Sequence, residues 1–261
     1  MSHIISGCHI FNFSESYAFA DKVRKAIFES EYLIDPVEVA SDIDNQIAKP
    51  KKWTILHDYI EYVVSSDFSF HFRGVGWEYE DVEPIISMLE SHQITFISLD
   101  EYIENEFRDD DLGETVEVND KHRDEYKYQY VEEYLEALAQ DNLIPIIVTE
   151  VFALLFSDRE AMKVFNLRVA DGIGERTKRH GSWPEWLKRA LYCREKGLCA
   201  ICKTDLSSLL HTQGKLAIDH IVPLALNGVN DPTNLQILCQ SCNSKKSGDV
   251  VETSNAMPVF W

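Results

Sequence analysis

Apolar and polar residues change their pattern several times along the first 170 residues, and each pattern favours a different element. The segment HIISGCHIF at 3–11 is rich in β-branched and aromatic residues, which predicts a strand. Ile94–Leu99 predicts a second strand, which follows a short helix over Glu83–Ser91. Apolar positions at helical spacing predict another helix over Ser14–Ser30. WTILHDYIEYVV and FSFHFRG favour an extended or mixed structure.

The clearest helical pattern lies at Lys121–Asn142, where apolar and aromatic residues form one face among charged residues. The next segment, Asn142–Phe156, is the most apolar part of the chain. Thr149 and Glu150 interrupt it, and it is shorter than the roughly 18 apolar residues that a membrane span needs. We therefore expect buried core there and no membrane association.

The last third of the chain has a different order of elements. PEWLKRALYCREKG begins with proline and ends with glycine, which predicts a helix. KLAIDHIVPLA predicts a strand that ends at Pro223, and NGVNDPTN predicts a polar turn. LQILCQSCNSKKS predicts a strand followed by a short helix. The fold class expected overall is α+β, with an acidic mixed α/β domain followed by a small C-terminal strand, strand and helix domain.

Charge divides the chain in the same way. The net charge is −19, but residues 1–170 hold 14 Lys and Arg against 35 Asp and Glu, a net charge of −21. Residues 171–261 hold 11 against 9, a net charge of +2. An acidic surface repels a phosphate backbone, so the first part suits solubility, a basic protein partner or restraint of the second part. A merely well-solvated surface explains it equally well. No targeting segment is visible, and we expect a cytoplasmic protein.

A boundary is predicted at DGIGERTKRHGSWPEW, which combines three glycines with a basic group. We divide the chain into a domain at 1–170, a linker at 171–184 and a domain at 185–261. Arg176, Lys178 and Arg179 in the linker could follow a phosphate backbone, and a solvated connector is the alternative.

Four of the six cysteines form two C-x2-C pairs, Cys199 with Cys202 and Cys239 with Cys242. Two such pairs supply the four thiolates of a structural zinc site, with one ion per chain. Disulfides are disfavoured in the cytoplasm, and a redox pair would need only one C-x2-C. Cys8 and Cys193 are left as ordinary thiols.

The segments IDHIVPL at 218–224, Gly228 and NLQILCQSCNSKK at 234–246 resemble the HNH endonuclease family. The resemblance covers roughly residues 185–250, and it is specific in residue type, order and spacing. It implies a ββα-metal fold held by a structural zinc ion, and a DNA phosphodiesterase activity.

Phosphodiester hydrolysis needs an activated water, a cation near the phosphate and a proton for the leaving oxygen. His220 is the candidate general base, because a neutral imidazole suits that role. Asp219 and Asn243 offer oxygen ligands for Mg²⁺ or Mn²⁺. By resemblance, Asn234 holds the His220 loop in place and Lys246 contacts phosphate. Lys245 is a further candidate for DNA binding.

Two features qualify this site. Adjacent residues on a regular strand point to opposite faces, so Asp219 and His220 can share a site only where the strand ends or distorts. The family often has histidine where this chain has Asn243, and the change removes a nitrogen ligand. That variant favours Mg²⁺ or Mn²⁺ over softer ions.

The sequence thus predicts a metal-dependent HNH endonuclease acting on DNA. By family resemblance it is the nuclease effector of a prokaryotic restriction or antiphage defence system. Its acidic domain would control it or dock on a partner such as an ATPase or a sensor. The alternative is a zinc-stapled module that binds nucleic acid or protein without cutting.

Overall fold

The computed structural model describes residues 11–29, 34–73, 78–106, 117–207, 216–246 and 248–256. Over these ranges the chain is rich in helices, and it has a two-stranded antiparallel sheet near the C-terminus. The chain divides into two compact units. The first comprises Met1–Tyr17 and Val63–Glu150, and the second comprises Ala18–Tyr62 and Val151–Trp261. Each of them thus combines segments that are far apart in the sequence.

The helices and strands are numbered in chain order. The helices before the sheet are α1 Ser16–Phe28, α2 Ile43–Ala48, α3 Ile55–Arg73, α4 Glu83–Ser91, α5 Leu99–Glu106, α6 Asp120–Gln129, α7 Glu136–Leu138, α8 Ile144–Leu155, α9 Arg159–Ile173 and α10 Glu185–Arg194. The sheet and the helix after it are β1 Ala217–His220, β2 Leu235–Leu238 and α11 Gln240–Lys245.

The helix predicted over Glu83–Ser91 is confirmed as α4, and the strand predicted over Ile94–Leu99 is wrong. Residues 94–98 have no regular secondary structure, and α5 begins at Leu99. Tyrosine hydroxyls bond the backbone there in place of a partner strand. The Tyr134 hydroxyl accepts from the Ile97 N–H at 2.9 Å, and the Tyr130 hydroxyl donates to the Ile97 carbonyl at 2.6 Å.

The extended or mixed structure predicted for WTILHDYIEYVV and FSFHFRG is also wrong, because α3 runs through both segments from Ile55 to Arg73. Aromatic and β-branched residues suggested a strand, but the apolar positions recur at helical spacing. These buried positions are Leu56, Tyr59, Ile60, Val63 and Val64. Burial of this face outweighs the weak strand preference of its residues.

The predicted helix at Lys121–Asn142 is confirmed as part of a helical stretch that extends over Asp120–Leu155 and includes two π-helical turns. By length and composition alone the stretch could cross a membrane, with a mean hydropathy of 1.5 over its most apolar window and 44% of that window buried. The core helix of a water-soluble protein meets the same criterion. Ile144, Ile147 and Val148 are buried, as we predicted for the apolar segment.

The mixed α/β character predicted for residues 1–170 is not confirmed. The described part of this region contains helices and no strand, and nearly all of the strand predicted at 3–11 lies outside the described residues. The helix predicted over Ser14–Ser30 is α1. The domain boundaries at 170 and 184 stay predictions; α9 ends inside that linker, at Ile173.

The order predicted for the last third of the chain is confirmed: β1, a turn-rich connection, β2 and a short helix. β1 and β2 pair antiparallel, with Ala217 opposite Leu238 and His220 opposite Leu235. Leu187 and Leu191 of α10 pack against both strands in one buried apolar cluster. Trp183 and Trp186 pack against that cluster, so these tryptophans anchor α10.

The end of α10 depends on Gly197, as the sequence predicted. The Gly197 N–H donates to the Tyr192 carbonyl at 3.0 Å. Gly197 has φ +73°, and a Cβ there would lie 2.7 Å from the Tyr192 hydroxyl oxygen. A side chain would be strained at this φ, so glycine favours this turn, which lies two residues before Cys199.

The buried Asp231 carboxylate ties the connection between the strands to α3, within the second unit. Its oxygens accept from the Ile55 N–H at 3.1 Å, the Thr233 N–H at 2.8 Å and the Thr233 hydroxyl at 2.6 Å. Asp231 therefore satisfies the first N–H of α3 and one end of the short 3-10 turn that precedes β2. Burial raises the pKa of Asp231 to about 6 despite these bonds.

The raised pKa predicts that Asp231 makes unfolding pH-dependent. The folded state favours the protonated carboxyl, so protonation of Asp231 stabilises the fold. This stabilisation is complete below the pKa that Asp231 has in the unfolded chain, and it is lost as the pH rises through about 6, the pKa of Asp231 in the folded protein. Relative to Asp231→Asn, the free energy of unfolding of the wild type should gain about 2 kcal/mol between pH 7.5 and pH 4.5. Denaturant titrations at several pH values measure this difference.

Val169→Ala is the control, because Val169 is buried in the same unit and carries no titratable group. Its difference from the wild type should not vary with pH. An Asp231→Asn difference that is equally flat would contradict the role of Asp231.

Candidate functional site

The four cysteines of the two C-x2-C pairs lie together. Their Sγ atoms are all within 4.8 Å of one another. Cys202 Sγ and Cys239 Sγ are 3.7 Å apart, much farther than the roughly 2.05 Å of a disulfide. Four thiolates around one point form the shell that structural zinc favours. The structure therefore brings together the candidate zinc ligands that the sequence predicted.

Tight turns present each pair of thiols. The Lys203 N–H donates to the Cys199 carbonyl at 3.0 Å, and the Cys199 N–H donates to the Thr204 carbonyl at 2.9 Å. In the second pair, Cys239 caps α11, and the Cys242 N–H donates to Cys239 Sγ at 3.3 Å. The Ala200 N–H bonds the Ile237 carbonyl at 2.9 Å and fixes the first turn against β2.

The thiols of this cluster cannot all ionise easily without a cation. A hydrogen bond from the Thr204 side chain lowers the pKa of Cys202 to about 6. Burial and the neighbouring thiols raise the pKa of Cys242 to about 12. A divalent ion would stabilise all four thiolates, because metal binding displaces protons from thiol ligands. The donor set therefore fits zinc.

Asp219 and His220 are the last two residues of β1, and they alternate in burial. His220 is buried with Ile218, whereas Asp219 is half-buried. Lys246, just after α11, ties the two residues together. Its Nζ lies 2.9 Å from Asp219 Oδ2 and donates to the His220 carbonyl at 2.7 Å. The strand ends at His220, and a strand that ends there allows Asp219 and His220 to share a site.

Asp219 is also held from across the sheet. Gln236 is its partner in the register, and Gln236 Nε2 donates to Asp219 Oδ2 at 3.1 Å. Both this bond and the Lys246 contact use Oδ2, so Oδ1 can serve as a ligand. The side chain of Lys246 is only 2% exposed. Lys246 thus lies beside the candidate metal ligand and is not on the surface.

His220 is 5% exposed, and burial lowers its pKa. Its Nε2 lies 3.1 Å from Asn230 Oδ1, and its ring meets Trp183 edge-on at 5.8 Å between centroids. A lowered pKa keeps the imidazole neutral at neutral pH. A neutral imidazole can accept a proton, as a general base must.

Asn234 closes the loop that follows His220. Its Oδ1 accepts from the Val222 N–H at 2.8 Å, and its Nδ2 donates to the carbonyls of Val222 and Val229 at 3.0 and 2.9 Å. Gly228 makes the closure possible, since a Cβ there would lie 1.9 Å from the Val222 oxygen. Asn234 is fully buried, so its role is to hold the loop after His220 in place.

The remaining predicted residues lie around this centre. Arg176, Lys178 and Arg179 are exposed between α9 and α10, and Lys245 is exposed at the end of α11. Asn243 is half-buried on α11. Its pairing with Asp219 around a cation stays a prediction, as does DNA contact by the basic residues.

Sequence reasoning missed Asn230 and Gln236, which bond His220 and Asp219 directly. Asn230 falls in the predicted polar turn NGVNDPTN, and such turns are normally exposed. The alternation of β2 gave a partial signal for Gln236. A polar residue between Leu235 and Ile237 lies on the opposite face of the strand from these apolar residues, and this is the face that carries Asp219.

Comparison with known proteins agrees with this geometry. Residues 199–249 match the family model described as HNH endonuclease. No curated protein and no solved structure matches the chain. The matched segment contains all four clustered cysteines and the pair Asp219 and His220. The chain therefore carries an HNH domain near its C-terminus, as the resemblance predicted, and such a domain implies a nucleic-acid substrate.

The cysteine cluster predicts about one zinc ion per chain. Cys242→Ser should lose the zinc and lower the unfolding temperature by many degrees, because binding of a structural zinc ion is coupled to folding. Elemental analysis by mass spectrometry and thermal unfolding measure the two effects. Cys193→Ser is the matched control, since Cys193 is exposed and lies outside the cluster. Full zinc content in Cys242→Ser would contradict the assignment.

Proposed function

We propose that this protein is a metal-dependent endonuclease of the HNH class that hydrolyses DNA phosphodiester bonds. The observation that carries this proposal is the link that Lys246 makes between two adjacent residues inside the HNH match. The Lys246 ammonium contacts the Asp219 carboxylate and donates to the main-chain carbonyl of His220, whose buried imidazole has a lowered pKa. A zinc module that only binds would need neither His220 nor Asp219.

His220 is the general base in this proposal. The neutral ring accepts a proton from a water molecule, whose oxygen attacks phosphorus. The bond from phosphorus to the 3′ oxygen breaks as the new bond forms, and a second water supplies the proton to the leaving oxygen. Asn234 holds the residues after His220 and thereby limits motion of the ring.

Asp219 and the side-chain carbonyl of Asn243 would hold Mg²⁺ or Mn²⁺, because hard cations prefer oxygen ligands. When bound, the ion supplies positive charge to the phosphate oxygens and the leaving group. Lys246 and Gln236 orient the Asp219 carboxylate through Oδ2. Lys246 acts here through Asp219, and its predicted contact with phosphate is the less favoured role because the side chain is buried.

The exposed basic residues Arg176, Lys178, Arg179 and Lys245 are proposed to contact the DNA backbone. The excess of positive over negative charge is small, because residues 171–261 have a net charge of only +2. DNA binding by the isolated chain should therefore be weak and strongly salt-dependent.

We further propose that the acidic first part of the chain controls the nuclease or docks on a basic partner such as an ATPase or a sensor. A cytoplasmic role in prokaryotic restriction or antiphage defence fits this arrangement. Support comes from the net charge of −21 over residues 1–170 and from the bonds that Asn230 and Asp231 make to residues 47–55 in the same compact unit.

Substitution of the proposed base tests catalysis. His220→Ala should lower the rate of plasmid cleavage with Mg²⁺ or Mn²⁺ by roughly 10²- to 10⁴-fold, because proton transfer from water is lost. Gel assays of nicked and linear plasmid measure the rate. Circular dichroism and zinc content establish that the variant is folded.

His122→Ala is the control, because His122 lies in the other compact unit. It should cleave like the wild type. Equal cleavage by folded His220→Ala would refute the assignment. DNA binding without cleavage by the wild type, under either metal, would favour the non-catalytic binding module.

Salt dependence tests the proposed DNA surface. Replacing both Arg176 and Lys178 by alanine should weaken binding for all sequences, and should reduce the slope of log K against log salt by about 2. Fluorescence anisotropy with labelled duplex at several salt concentrations measures the slope. The control is the double variant Lys25→Ala and Lys127→Ala. Each of these lysines pairs with a nearby acidic residue, and both lie far from the HNH match in the sequence. An unchanged slope in the first variant would exclude these contacts.

A further inference from the structure

Asn230 contacts the proposed base directly and is anchored by main-chain groups from two other segments. Asn230 is fully buried. Its Nδ2 donates to the Ala48 carbonyl at 3.0 Å and to the Lys178 carbonyl at 2.8 Å. Its Oδ1 lies 3.1 Å from His220 Nε2 and accepts from the His180 N–H at 3.3 Å. The Asn230 N–H donates to the Ile47 carbonyl at 3.0 Å.

These bonds fix which end of the Asn230 amide faces the imidazole. A carbonyl oxygen can only accept, so the two carbonyls of Ala48 and Lys178 both require the NH2 group. The amide oxygen must then face His220. Because that oxygen can only accept, His220 Nε2 must carry the proton.

We propose that Asn230 is a positioning residue for the nuclease reaction, which holds His220 with Nε2 protonated and leaves Nδ1 as the proton acceptor. This inference rests on the proposed function, because it states which ring nitrogen of His220 acts as the base. In the reaction, Nδ1 takes one proton from the attacking water while Nε2 keeps its proton and its bond to Asn230. The resulting imidazolium then has both nitrogens protonated, and Asn230 Oδ1 remains a suitable acceptor.

The anchors of Asn230 extend this control beyond the HNH match. Ile47 and Ala48 belong to the end of α2, and Lys178 and His180 belong to the segment between α9 and α10. Neither segment lies within residues 199–249. Lys178 offers its carbonyl to Asn230 while its exposed side chain is available to DNA. The orientation of the base therefore depends on the same backbone that carries the proposed DNA contacts.

Nuclear magnetic resonance of the full chain tests the proposal without any cleavage. With ¹⁵N-labelled histidine at pH 8, the neutral His220 ring should show a proton on Nε2 that exchanges slowly with water. Asn230→Ala should lose this protected proton, because the acceptor that holds it is removed. A His220 ring protonated on Nδ1 in the wild type would overturn the proposal. So would a protected Nε2 proton that persists in folded Asn230→Ala.

Kinetics supply the second readout. Asn230→Ala should lower kcat for plasmid cleavage by roughly 10²-fold and leave KM within about twofold, because positioning of the base affects the chemical step.

Asn166→Ala is the matched control. Asn166 is equally buried in the same unit and bonds the Thr233 hydroxyl of the same loop, but it bonds no group of His220. It should match Asn230→Ala in lost stability and keep a kcat near that of the wild type. Equal kcat losses in both alanine variants would reduce Asn230 to a structural role. If the wild type cleaves no substrate, the proposed function fails while the resonance experiment still decides the role of Asn230.

Discussion

Buried polar side chains in the connection between the two strands and in β2 fix the arrangement of this domain. Asn230, Asp231, Thr233, Asn234 and Gln236 are all fully buried. A buried polar group without a hydrogen-bond partner costs about 1–3 kcal/mol, so each of these side chains selects one arrangement of its neighbours. Their partners lie in α2, α3, α9 and the segment before α10. The segment that matches the HNH family therefore depends on helices that the match does not include.

A cluster of buried charges connects this region to Asp219, the proposed metal ligand. Arg159 and Arg194 share the carboxylate of Glu195, at 3.2 and 2.8 Å. Arg159 Nη2 donates to Gln236 Oε1 at 3.5 Å, and Gln236 Nε2 donates to Asp219 Oδ2 at 3.1 Å. Burial lowers the pKa of Arg159 to about 9.

Gln236 joins the arginines to Asp219, because its amide oxygen accepts from Arg159 and its amide nitrogen donates to Asp219. The contact with Arg159 therefore orients the NH2 group of Gln236 toward Asp219. Arg194 also donates to the carbonyls of Pro232 and Leu235, so the cluster fixes the start of β2. The buried charges thus hold the start of β2 and also Gln236, the residue that bonds Asp219.

The HNH domain was predictable because its chemistry is local in sequence. Short motifs predict the candidate zinc site, both strands and the helix without reference to the rest of the chain. These motifs are the two C-x2-C pairs, IDHIVPL and NLQILC. The first part of the chain has no such markers. The residues of α3 were predicted to be extended or mixed in structure, and only their burial on one helical face decided the outcome.

Asn230 could not be identified from sequence for a related reason. Its role follows from contacts with residues 182 and 52 positions away, at Ala48 and Lys178. No spacing rule connects such distant positions. Asn234 was accessible because the resemblance supplied its role, while its neighbour four residues earlier looked like an ordinary turn residue.

Gly228 illustrates how a residue without chemistry can behave like a catalytic one. The Val222 oxygen occupies the space that any side chain at this position would need. Val222 lies two residues after the proposed base, and Asn234 holds it in place. Any larger residue would have to displace the Val222 carbonyl and so disturb the loop that follows His220. In a survey of variants selected for cleavage, position 228 would thus accept as little change as the base itself. Intolerance to substitution in this domain therefore marks the walls of the site as well as its reacting groups.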